Sequence, residues 1–130
     1  MMKRKVDLLY EELSYKVRGA MIEIHKALGS GHKELVYHRA LAEEFRKQKM
    51  NFCEEKSINV FYQDKKVGTY KPDFIVEDKI IVEIKAVPFM PRNFEEQLVH
   101  YLKSTKYKLG FLVNFGVRRL VIKRRIYTND

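Results

Sequence analysis

The chain has 130 residues, 45% of them hydrophobic, with 8 Tyr, 8 Phe and 3 Pro; this suits one folded domain over residues 1–130 and excludes a disordered chain. Lys or Arg interrupts every apolar run, which excludes a membrane span, and a single cysteine, Cys53, excludes an internal disulfide. The balance of 26 Lys and Arg against 17 Asp and Glu gives a charge of +9, a field that attracts polyanions, nucleic acid first among them.

The N-terminal Met1-Met2-Lys3-Arg4-Lys5 is basic like the start of a signal peptide, but Asp7, Glu11 and Glu12 stand where an apolar segment belongs. A cytoplasmic protein is therefore expected. Val6, Tyr10, Leu13, Val17, Ala20, Ile24 and Ala27 recur at steps of four and three, which predicts a helix over residues 5–28 stopped by Gly29-Ser30-Gly31. Its stripe suits the domain's own core or a homodimer contact. A second helix is expected over residues 35–49, with Val36, Ala40, Leu41, Ala42 and Phe45 inward. Glu34 stands at its opening, where an acid favours the helix dipole, and Tyr37 either stacks on a base or packs.

Residues 57–62 read as extended, Gln63-Asp64-Lys65-Lys66 as a turn, and residues 67–76 as a strand. Glu77-Asp78-Lys79 turns the chain into a further strand over residues 80–85, giving three antiparallel strands. A hairpin centred on Asp78 sets Asp73 opposite Glu83. Alternation puts Glu83 and Lys85 on one face and Ile84 on the other. After the loop marked by Pro88 and Pro91, a third helix runs from Asn93, a suitable N-cap, to Ser104. Gln97 and Tyr101 lie one turn apart on it, beside a buried face of Leu98, Leu102 and Phe94. Residues 108–114 and 118–126 read as two last strands around Phe115-Gly116. The order α-α-β-β-β-α-β-β describes an α/β fold, a mixed sheet flanked by helices.

Asp73, Glu83 and Lys85 together can hold a divalent cation and an activated water, and hard carboxylate oxygens suit Mg²⁺. The plainer alternative is a cross-strand salt bridge. His25, His32, His38 and His100 lack zinc-ligand spacing and read as surface or boundary residues, and Cys53 has no activating neighbour in the sequence. Arg118, Arg119, Lys123, Arg124 and Arg125 fall within eight residues and predict a basic, nucleic-acid-binding patch.

Gly31-x-x-Glu34-x-x-Tyr37, Pro72-Asp73, Glu83-Ile84-Lys85-Ala86-Val87 and Gln97-x-x-x-Tyr101 occur here in order, with Gly19 to Lys26 before them and Asn114-Phe115-Gly116 after. This set resembles the GxxExxY proteins, a group within the PD-(D/E)XK nuclease superfamily. The resemblance implies a restriction-endonuclease-like core, with Asp73 and Glu83 as ligands of Mg²⁺ (Mn²⁺ as substitute) and Lys85 beside the attacking water. It also implies a further metal-binding carboxylate at Glu34 and a helix motif in Gln97 and Tyr101, which complete the catalytic set. Phe94 stands where members often carry His. The expected function is metal-dependent hydrolysis of nucleic acid, DNA ahead of RNA. The alternatives are a non-catalytic nucleic-acid-binding module on the same fold and a partner-binding subunit using the first helix.

Overall fold

Buried Val17, Ala20, Met21 and Ile24 close one side of helix α1 (Glu11–Leu28) in the computed structural model, which describes residues 9–128. The first four residues of the expected helix, Val6 included, lie outside the described residues. The 3.6-residue period carries the stripe from Ile24 to Leu28, so Leu28 packs inward and Ala27 is exposed. Gly29 ends the helix at φ 69°, a backbone that favours glycine, and its N–H donates to the His25 carbonyl at 2.8 Å.

Helix α2 (Glu34–Lys47) buries Tyr37, Leu41, Ala42 and Phe45, whereas Val36 is exposed. Glu34 is thus the first residue of the helix itself. The strands are β1 (Phe52–Glu54), β2 (Ile58–Tyr62), β3 (Lys65–Tyr70), β4 (Phe74–Val76) and β5 (Ile80–Lys85). They are followed by α3 (Arg92–Ser104), β6 (Leu109–Asn114) and β7 (Val121–Ile126). Pro91, not Asn93, precedes the first turn of α3.

Five strands form the main sheet in the order β1-β4-β5-β6-β7, and β2 with β3 forms a separate two-stranded ribbon. The expectation of one strand over residues 67–76 and of three sequential antiparallel strands is therefore corrected. Pro72 has no N–H to offer a ladder and restricts Lys71 before it, so the chain breaks between β3 and β4. The partner that β4 takes is β1, three residues too short to read in advance. Strands β5 and β6 pair in parallel and the other neighbours antiparallel, which makes the sheet mixed.

Alternation sorts the side chains. Ile80, Val82 and Ile84 join Leu109, Phe111 and Val113 under α1 and α2, while Ile81 and Leu112 meet Leu98 and Leu102 of α3 on the opposite face. Glu83 and Lys85, in step with Ile81, therefore lie on the α3 face. Burial on both faces explains why β5 and β6 are nearly continuous apolar runs. Among the described residues no helix is long and apolar enough to cross a membrane.

Candidate active site

The register of β4 and β5 sets Phe74 opposite Val82 and Val76 opposite Ile80, so the next step outward brings Asp73 to Glu83. The Asp73 N–H donates to Glu83 Oε1 at 3.2 Å, and the Ile84 N–H donates to Asp73 Oδ2 at 2.6 Å. Each carboxylate is thereby fixed by the other strand's backbone. The Tyr70 hydroxyl donates to the same Glu83 oxygen at 2.9 Å. Its ring stacks on Tyr101 at 3.6 Å between centroids, with only 4° between the planes. Tyr101 thus reaches the site through Tyr70. Exposed Gln97, one turn earlier on α3, rims a small recess with Glu83, Lys85, Phe94 and Tyr101. The Lys85 ammonium lies 4.7 Å over the Phe94 ring, a cation–π contact.

On the other side of Asp73 an open cleft of about 380 Å³ is lined by Glu34, His38, Glu54 and Glu55. His38 is the residue that sequence reasoning missed. Its Nε2 lies 3.0 Å from Glu54 Oε1, its Nδ1 3.9 Å from Asp73 Oδ1, and its ring stacks on Phe74 at 4.4 Å. The available signal was its place four residues after Glu34, on the same face of α2.

Beyond burial, the Asp73 charge raises both Glu34 and Glu83. Burial pushes Glu83 from an ordinary 4.5 up to about 7, helped by the Asp73 charge and opposed by Tyr70, the Asp73 N–H and Lys85. Burial likewise raises Asp73, against the Ile84 N–H, His38 and Lys85. Glu34, though partly exposed, is raised by lost hydration and then by the Asp73 charge, with Lys85 and His38 pulling it down. Lys85 thus acts on all three acids.

Among the described residues no three His, Cys, Asp or Glu side chains are gathered into a metal cage. Glu34 stands on the cleft side of Asp73 and Glu83 on the recess side, where Tyr70 holds one of its oxygens. The expected three-ligand set is therefore spread around Asp73. The donor chemistry still fits a hard cation. Asp73 Oδ1 and Glu83 Oε2 accept no hydrogen bond among the described residues, and closely spaced acids with raised pKa gain from a divalent charge between them.

Two expected nucleic-acid contacts are corrected. Tyr37 is fully buried, stacked on Phe115 at 4.7 Å, and its hydroxyl donates to the Gly29 carbonyl at 2.5 Å while accepting from the His32 N–H at 3.2 Å. It is a core residue that ties down the glycine turn, as its spacing with Leu41 and Phe45 would have indicated. The basic run does not form one patch either. Arg118 and Arg119 are exposed in the turn before β7, outside the strand expected to begin at residue 118. Within β7 the faces alternate: Lys123, at 4.0 Å, and Arg125 pair with Glu95 of α3, whereas Arg124 falls on the face where Ile122 and Ile126 join the α1–α2 core. His100 lies with Arg92, Glu96 and Lys103 in a groove away from the recess.

Asn114, buried at the end of β6, holds the chain that leaves Lys85. Its side chain accepts from the Val87 and Gly116 N–H groups and donates to the Val87 carbonyl, each at 3.0 Å. The Phe115 N–H donates to the Lys85 carbonyl at 2.8 Å.

A family model described as the PD-(D/E)XK nuclease superfamily matches residues 11–126. No curated protein matches the chain. Among solved structures, the crystal structure of SSO0001 is similar at 19% identity and a TM-score of 0.53, over 93% of this chain. The chain covers 61% of that structure, about three fifths of its length. At that identity the likeness is one of fold, a five-stranded mixed sheet flanked by helices in the restriction-endonuclease manner.

Proposed function

The chain belongs to the PD-(D/E)XK nuclease superfamily, and on that premise we propose that it is a divalent-metal-dependent nuclease hydrolysing phosphodiester bonds of nucleic acid, DNA before RNA. The observation that carries this reading is the Asp73–Glu83 pair locked across the hairpin, with Lys85 on the same strand face. The ordered set Glu34, Asp73, Glu83, Lys85, Gln97 and Tyr101 supports placement among the GxxExxY proteins of that superfamily.

Asp73 and Glu83 would hold the ion, with Glu34 adding charge from the cleft. Mg²⁺, or Mn²⁺ in its place, suits two carboxylates because it keeps waters and substrate phosphate oxygens for its remaining positions. The chemistry such an ion supplies is charge neutralisation at the phosphate and a more acidic water. The chain's own groups do the positioning. Tyr70 and the Asp73 N–H hold Oε1 of Glu83, leaving Oε2 as the donor. Lys85 orients the attacking water and balances charge as the phosphorane-like oxygens develop. Gln97, on the rim of the recess, donates to a phosphate oxygen. Arg118 and Arg119 offer free-facing charge for the nucleic-acid backbone, and the tethered Lys123, Arg124 and Arg125 contribute field. A cytoplasmic homodimer would let so small a domain span more of its substrate.

The test is cleavage of labelled single- and double-stranded DNA and RNA with Mg²⁺, Mn²⁺ or EDTA, wild type beside Glu83→Ala and Lys85→Ala. Cutting that requires metal and is lost in both variants is expected. Salt-sensitive binding with no cutting under any metal would replace the nuclease by a binding module.

A further inference from the structure

The β2–β3 ribbon leaves the main sheet and carries a concentration of exposed apolar side chains. Phe61 is 58% exposed, Tyr62 64% and Val67 61%. Its shape is specified locally. Gln63 and Asp64, both at positive φ, make the two-residue turn, and the register shifts at Val60/Phe61. A two-stranded ribbon is marginal by itself, and this one is held at its base by Ile58, Val60 and Tyr70, which pack in the cluster containing Met90, Phe94 and Tyr101. Tyr70 is also the residue bonded to Glu83. The base of the ribbon is therefore joined to the candidate active site through Tyr70.

Across the ribbon Phe61 pairs with Lys66 and Tyr62 with Lys65. Cross-strand partners share a face and successive pairs alternate, so each face presents one ring beside one ammonium. Among the described residues neither lysine ends on a carboxylate, and with Lys56 and Lys71 the segment holds four lysines and one acid, Asp64. A ring with an adjacent cation matches a nucleotide's base and phosphate. Base faces are available for stacking only where they are unpaired. A second copy of this chain fits poorly, because the same contact would set lysines against lysines.

We propose that the β2–β3 ribbon is the arm that holds a single-stranded stretch of the substrate, with bases stacked on Phe61 and Tyr62 and phosphates met by Lys65 and Lys66. This rests on the nuclease reading and adds the substrate's form and the element that engages it. Phe89, 77% exposed in the loop after Lys85, stands next to Met90 of the same cluster and offers a third ring.

The experiment is fluorescence anisotropy of a labelled single-stranded oligonucleotide and of its duplex in EDTA, where binding is read without cleavage. Phe61→Ala with Tyr62→Ala should weaken single-strand binding roughly tenfold or more and leave the salt slope intact. Lys65→Ala with Lys66→Ala should reduce the slope of log affinity against log salt by about 1.4. Wild-type binding unchanged in both variants overturns the arm alone, as does an equal loss on the duplex. Sedimentation velocity that shows a dimer dissociating in the aromatic variant makes the ribbon a self-contact and overturns it too. A wild type that binds no nucleic acid removes the nuclease reading together with the arm.

Discussion

At the scale of single residues the site is a problem of crowded carboxylates. Between pH 4.5 and about 7 the folded Glu83 keeps a proton that the unfolded chain has released. Its raised pKa therefore favours the folded state at low pH, and that contribution is lost as pH rises through about 7. Glu83→Gln retains an oxygen for Tyr70 and the Asp73 N–H but has no charge to bury. In urea unfolding without metal, the variant should be more stable than wild type at pH 8 by roughly 3 kcal/mol or less. The difference should vanish near pH 4. A constant difference across that range would show that the effect is packing rather than ionisation. The same substitution should abolish cleavage, so stability and activity are expected to move in opposite directions here.

At the scale of elements, the β6–β7 turn fixes the chain that leaves β5. A Cβ on Gly116 would lie 2.3 Å from the Val87 backbone N, and a backbone atom cannot yield as a side-chain tip can. Gly116→Ala is expected to cost about 1–3 kcal/mol in denaturant unfolding and to displace Lys85, lowering kcat more than it raises KM. Gly19, in the middle of α1 with nothing within 4 Å of an added Cβ, is the contrast. Gly19→Ala should stabilise by about 1 kcal/mol through helix propensity alone and leave activity unchanged. Tyr101 shows the same dependence between elements. It was expected in the catalytic set as part of a helix motif with Gln97, and in the fold it backs Tyr70 from β3, which in turn holds Glu83 from β5.

At the scale of the whole molecule, Asp73 and Glu83 face each other only when the β4–β5 hairpin is seated in the five-stranded sheet, with β5 at its centre, and Glu34 arrives from the start of α2. A cation held by Asp73 and Glu83 therefore stabilises the global fold by mass action, about 2.7 kcal/mol at a hundredfold excess over Kd. Thermal unfolding with and without Mg²⁺ should show a higher Tm for wild type, and no shift for Asp73→Ala. An equal shift in both would place the ion elsewhere. The sequence by itself determined what local geometry dictates. Counting outward from Asp78 puts Asp73 against Glu83, alternation puts Lys85 beside Glu83, and one helical turn links Gln97 to Tyr101. Periods of 2 and 3.6 also specified the helices and most strands. Tertiary structure decided what depends on partners remote in sequence. It set β5 parallel to β6, gave β4 the unforeseen β1, split β2 and β3 away at Pro72, and buried Tyr37. It brought His38 to Asp73 and divided the basic run between two faces and a turn. The reason is physical: a local period fixes which way a side chain points along its own element, whereas what it meets there depends on how elements pack, and packing joins residues that no local spacing relates.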